Sequence, residues 1–165
     1  MSESKQKELQ HLGGNMEFRV FEKPKVKTPF VFGSSAEVYE KMKDYNKADR
    51  ELMLILFLDS KNHVMKIETH SIGTVDSSAV YPREIFKSAI LNNASSFICI
   101  HNHPSGDPDP SEGDREITKH IVLCSELLQI KALDHIILGD NKYFSFADQG
   151  LMDEYEILAK RKLNN

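Results

Sequence analysis

Two histidines one residue apart, His101 and His103, close the run SFICIHNHP, and the loop after them leads through Ser111 to Asp114. In extended backbone, residues i and i+2 point to the same side, so these two imidazoles can share one ion. They stand where an apolar run gives way to a loop, the usual place for a site. Pro104, Pro108 and Pro110 restrict φ along that loop. A stiffened loop loses less entropy when its geometry is fixed. Two histidines and one carboxylate supply three ligands to a zinc ion and leave the fourth tetrahedral position to water, the pattern of a catalytic site. Bound zinc brings the pKa of that water toward ~7. A carboxylate that does not bind the metal would then take the proton and pass it to a leaving group.

Each piece also has an ordinary structural explanation. A lone histidine is usually solvated, and an aspartate in the first turn of a helix is favourably placed against the helix dipole. Ser111 followed three residues later by Asp114 is by itself a helix-start signature. The two histidines, however, are needed for neither a core nor a cap, so the combination points to metal. Other chemistries lack their motifs: the chain has no H-E-x-x-H, no H-x-E with P-C-x-x-C, no C-x-x-C pair, no G-x-S-x-G and no G-x-x-x-x-G-K-[ST].

The elements that must hold these residues alternate between two hydrophobic periods. Ser34 with Glu37 three residues on reads as a capping box, and Val38, Met42 and Tyr45 recur at helical spacing, which predicts a helix over 35–46. The run LMLILFL at 52–58 is apolar on both faces and reads as a central strand. Asp59 to Asn62 makes a turn, and Val64 to Ile72 returns antiparallel. Pro82 opens a helix with Ile85, Phe86, Ala89 and Ile90 on one face, ended by Asn92 and Asn93. Residues 96–101 form a third strand. After the histidine loop, Ser111 begins a helix with the stripe Ile117, Ile121, Cys124 and Leu128. Leu133 to Leu138 and Tyr143 to Phe146 are strands around the turn at 139–141, and Leu151 to Leu163 is a last amphipathic helix. Strands and helices interleave, so the fold class is α/β or α+β, one layered domain over 29–165. Residues 1–28, with Gly13, Gly14 and Pro24, read as an extension in which Phe18, Val20 and Phe21 could make a short strand.

Composition narrows the class further. The 165 residues are 40% apolar and 28% charged, enough for a real core and unlike a disordered or membrane chain. No stretch approaches the ~20 apolar residues of a bilayer span. The first residues lack an apolar signal region, so a cytoplasmic setting is expected, with Cys99 and Cys124 as free thiols. Lys plus Arg is 21 against 25 for Asp plus Glu, a net charge of −4, which argues against nucleic-acid binding driven by global charge.

The run HNHPSGDPDPSEGD resembles the JAMM metalloprotease motif, His-x-His-Pro, six residues, then Ser-x-x-Asp, position for position. The flanks, YPREIFKSAILNNASSFICIHNHPSG before it and DREIT, LDHIILGD and YFSFADQGL after it, are similar to the bacterial RadC branch, and the likeness covers about residues 30–152. The resemblance implies an MPN/JAB fold, a curved mixed sheet flanked by helices and related in layout to cytidine deaminases. It implies Zn2+ held by His101, His103 and Asp114, and Ser111 polarising an oxyanion. It also implies an upstream glutamate as general acid/base: Glu51 at the head of LMLILFL is the candidate, and Glu84 in the Pro82 helix the rival. The implied reaction is attack of zinc-bound water on a peptide or isopeptide carbonyl of an unidentified peptide or protein substrate. RadC proteins typically carry an N-terminal helix-hairpin-helix region. Residues 1–28 are too short and polar for one, so a short form is expected and DNA binding finds little support. A DNA-repair-associated RadC-like protein acting through DNA or repair-protein binding and a non-catalytic MPN scaffold are the other readings.

Smaller expectations concern neighbouring residues. Cys99 shares strand parity with His101 and is expected in the core. His120 and His135 could stand behind the ligands. His11, His63 and His70 read as loop or exposed-strand residues, and Phe144 and Phe146 as one buried sheet face.

Overall fold

The computed structural model describes residues 28–72 and 80–164. The strand expected around Phe18, Val20 and Phe21 and nearly all of the extension 1–28 lie outside these residues. Within them, six strands form one mixed sheet: β1 (Phe30–Val31), β2 (Leu52–Leu58), β3 (His63–Ile72), β4 (Ser96–Asn102), β5 (Lys131–Leu138) and β6 (Tyr143–Ser145). Four helices flank it: α1 (Ser35–Met42), α2 (Pro82–Leu91), α3 (Glu112–Leu128) and α4 (Leu151–Leu163). The strand order is β1-β3-β2-β4-β5-β6. This is the layered α/β fold expected from the sequence, and it is consistent with a JAB/MPN-like architecture.

β2 is buried along its whole length because it lies between β3 and β4 and is covered on both faces. Its alternate residues divide between two cores. Met53, Ile55 and Phe57 face α2, α3 and α4 together with Phe97, Cys99 and Ile137, whereas Leu52, Leu54, Leu56 and Leu58 face α1 with Ile98, Ile100 and Ile136. Cys99 is therefore a core residue of the first layer, as its parity suggests. Cys99 and the half-buried Cys124 are both free thiols.

Every strand pair is antiparallel except β4–β5. Parallel neighbours cannot be joined by a tight turn, so the chain crosses over through α3. This crossover puts the loop after His101 and the first turn of α3 at one end of the sheet.

Several boundaries differ from the sequence expectation: β3 starts one residue earlier, at His63, and β4 runs one residue further, to Asn102. The helix predicted over 35–46 is α-helical only to Met42 and tightens into a 3-10 turn over Lys43–Lys47. Met42 and Tyr45 are three residues apart, and a three-residue period keeps both side chains in the core. β5 starts at Lys131 rather than Leu133 because Lys131 and Ala132 already pair with Ser96 and Phe97. β6 ends at Ser145, and Phe146 instead packs in the first core, its ring stacked on that of His135 at 5.1 Å.

β5 carries a buried carboxylate on the α1 side. Asp134 Oδ2 receives Ser145 Oγ at 2.6 Å and Ser35 Oγ at 2.9 Å, and Oδ1 accepts the His135 and Ala147 N–H groups at 2.7 and 2.9 Å. Burial pushes its carboxyl above the usual range even with these four donors. The contacts tie α1, β6 and the chain before α4 to β5, and they fix the strand next to His135. Asp134→Asn turns one acceptor into a donor facing donors. We expect a loss of about 2 kcal/mol, read as a lower urea midpoint at unchanged slope. An unchanged midpoint would contradict this account of β5.

Candidate metal centre

Parity on β4 decides what reaches the end of the crossover. Phe97, Cys99 and His101 point toward α3, and His101 is the buried last member of that row. His103 stands one residue beyond the strand. Its N–H still donates to Leu138 O at 3.1 Å, prolonging the pairing with β5. Its Nδ1–H donates to the Asp107 carbonyl at 2.7 Å, which leaves Nε2 as the free lone pair. The loop is held against the β5–β6 turn: Gly106 N–H donates to His103 O and Asp140 N–H to Gly106 O, both at 2.8 Å. Gly139 permits this approach, since a Cβ there would lie 2.6 Å from Gly106 O.

Asp114 arrives from the other direction. Ser111 is the N-cap of α3 and accepts the Asp114 N–H at 3.1 Å, while Asp114 Oδ2 accepts the Ser111 N–H at 2.7 Å and O–H at 2.6 Å. The expected helix start is thus a reciprocal capping box with aspartate in the third position. It aims the carboxylate at the histidines: Asp114 Oδ1 lies 3.2 Å from His101 Nε2 and Oδ2 lies 3.4 Å from His103 Nε2. The two Nε2 atoms are 2.9 Å apart.

This donor set fits a tetrahedral cation. Metal–ligand bonds of 2.0–2.1 Å place neighbouring donors ~3.3 Å apart, and the three distances bracket that value. Among the described residues, His101, His103 and Asp114 are a group of three whose ligand atoms lie within 4.8 Å of one another. Two imidazoles and one carboxylate suit a divalent transition-metal ion rather than magnesium or calcium.

The electrostatics follow from the same contacts. The Asp114 hydrogen bond raises the proton affinity of His103 against the cost of its burial, with smaller help from the Asp107 carbonyl and the charges of Asp114 and Glu51. Burial would push the Asp114 carboxyl up, but His101, His103 and Ser111 together hold it well below the carboxylate range.

Glu51 immediately precedes β2, half-buried, on the strand whose Met53 is paired with His101. Its backbone is clamped by the residue between the two histidines. Asn102 accepts the Leu52 N–H at 2.8 Å and donates to Arg50 O at 3.1 Å, so the peptide units on either side of Glu51 are held by one buried amide. Glu84 is elsewhere, half-buried in the first turn of α2, where it pairs with Arg83 and Lys87.

Behind His101 stands His135, fully buried. His101 Nδ1 and His135 Nε2 are 2.8 Å apart, His135 Nδ1 and Thr118 Oγ1 are 2.7 Å apart, and Thr118 O–H donates to Asp114 O at 2.5 Å. Burial, with the neighbouring His101, pushes the basicity of His135 down to about 3. Of the two histidines expected behind the ligands, His135 is there. His120 lies on the exposed side of α3 near Glu116. His63 begins β3 against Asp59, and His70 is half-buried in β3. Asn102 and Thr118 escaped sequence reasoning: an asparagine ending a strand and a threonine in a helix carry no signal without their partners.

A family model described as the RadC-like JAB domain matches residues 32–151, from just before α1 to the start of α4. The chain belongs to this family. Its relatives include UPF0758 proteins of Desulforamulus reducens (51% identical over 111 residues, 67% of this chain and 49% of that protein) and Methanosarcina acetivorans (44% over 131 residues, 79% and 56%). A third, from Chlorobaculum tepidum, is 45% identical over 117 residues, 70% of this chain and 53% of that protein. The chain spans about half the length of these curated relatives. Among the described residues, no helix is long and apolar enough to cross a membrane.

Without metal, the site makes stability depend on pH. His103, with raised proton affinity in the fold, contributes fully below its unfolded pKa of ~6.5 and loses that contribution as pH rises through the folded value. Asp114, depressed in the fold, contributes fully above ~3.9 and loses it as pH falls through its folded value. In chelator, Asp114→Asn should therefore destabilise more at about pH 5 than at about pH 8, by urea unfolding. Equal losses at both would contradict the pairing. Protons compete for the same nitrogens, so metal affinity should rise over that range.

Proposed function

We propose that this RadC-like JAB domain is a zinc-dependent hydrolase of a peptide or isopeptide amide. The observation that carries the reading is the convergence of His101 Nε2, His103 Nε2 and an Asp114 carboxylate oxygen. A divalent ion held there supplies a Lewis acid and a water acidic enough to react near neutral pH.

The chain's own groups divide the remaining work. The Glu51 carboxylate, on a backbone clamped by Asn102, accepts the proton of the attacking water and returns it to the leaving amine. Ser111 has two tasks. Its hydroxyl donates to Asp114 and so aims the carboxylate, and the same hydroxyl could instead donate to the carbonyl oxygen of a bound substrate. His101 is buried and His103 and Asp114 are only half-buried, so the open side faces solvent, where an extended peptide could approach.

The test has two stages. Purified wild type should hold about one zinc per chain by elemental analysis, and His103→Ala should lose most of it. Equal content in both would remove the site. Zinc-loaded protein is then offered pooled fluorogenic peptides and glycine–lysine isopeptides. Cleavage should stop in chelator and return with zinc. Glu51→Gln should keep the metal and lose about 10²–10⁴ in kcat. A fully active Glu51→Gln beside a dead Glu84→Gln would move the base to α2.

A further inference from the structure

A histidine binds a metal through a bare ring nitrogen, so its other nitrogen must carry the proton. For His103 the Asp107 carbonyl enforces this, because a carbonyl can only accept. Among the described residues, the partner of His101 Nδ1 is a second imidazole, which can donate or accept. What decides is further back.

The Asp114 carbonyl can only accept, and Thr118 Oγ1 lies within hydrogen-bond distance of it, so the single hydroxyl proton of Thr118 is committed there. Toward His135 the same oxygen has only a lone pair to offer, and His135 Nδ1 must be the donor. His135 is fully buried between the sheet and α3, with Phe146 stacked on its face, a setting that favours the neutral ring. A neutral imidazole has one N–H. Its Nε2 is then bare and accepts from His101 Nδ1–H, and His101 Nε2 is bare in turn.

We propose that Thr118 and His135 are positioning residues that fix His101 in the tautomer whose Nε2 lone pair faces His103 and Asp114. The relay begins on the backbone carbonyl of one ligand and ends on the ring of another. Thr118 lies one turn after Asp114 on α3, so a single helical turn aims the carboxylate and, through His135, orients the imidazole opposite it. The metallic use of this arrangement rests on the proposed function. The tautomer itself does not.

The experiment is long-range proton–nitrogen NMR of the histidine rings in 15N-labelled, metal-free full chain, with zinc affinity measured separately by chelator competition. In the wild type His135 should be protonated at Nδ1 alone and His101 should carry a proton at Nδ1, whether or not Asp114 holds a second one on its Nε2. Thr118→Val should abolish that single tautomer and weaken zinc binding about 10–100-fold. Thr118→Ser, which restores the hydroxyl, should bring both to within about threefold of wild type, a rescue that a packing role would not give. A bare Nδ1 on His101 in the wild type would overturn the proposal without any variant, as would a Thr118→Val protein that matches wild type in tautomer and affinity. The predicted tautomer in a chain that takes up no zinc supports the relay and defeats the proposed function. The opposite tautomer with one zinc bound does the reverse.

Discussion

Two imidazole nitrogens 2.9 Å apart, with a carboxylate oxygen 3.2 Å from one of them, cannot all present lone pairs to the same point unless positive charge lies between them. A proton can serve two of the three. A divalent cation serves all of them and leaves a face open. The rest of the architecture follows from holding three such groups together in a half-buried place, where unpaired polar atoms are costly.

The sheet does this with one parallel step. The β4–β5 pair requires a crossover, the crossover is α3, and the first turn of α3 therefore returns to the end of the strand it left. Residues at alternate positions of β4 divide the work. Odd positions lead through Phe97 and Cys99 to His101 on the α3 side, and Asn102, on the other side, holds the peptides around Glu51. β5 is divided in the same way between His135, which supports His101, and Asp134, which anchors α1 and β6. Site geometry and core packing are thus written in the same two strands. Most of the site can be rigid before any ion arrives, which limits the ordering cost of binding.

The sequence made the cluster of His101, His103 and Asp114 and the elements legible because both have short-range signatures. His-x-His, Ser-x-x-Asp, the apolar run of β2 and the stripe of α3 are patterns over a few residues. The lone histidine of β5 was visible only as a possibility. Asn102 and Thr118 were not visible, since their meaning lies in partners at Leu52 and His135, far away in the chain. The 3-10 turn after Met42 and the early start of β5 were hidden for the same reason: tertiary packing and strand pairing set them, not local propensity. Ser111 reads as a cap in both sequence and structure, and its hydroxyl on Asp114 joins the cap to the site.

The most direct measurement is X-ray absorption at the zinc edge of the protein loaded with one equivalent. The account predicts a four-coordinate ion with nitrogen and oxygen neighbours at about 2.0–2.1 Å and the outer-ring scattering of two imidazoles. A sulfur neighbour at about 2.3 Å, or a shell without imidazole, would contradict it.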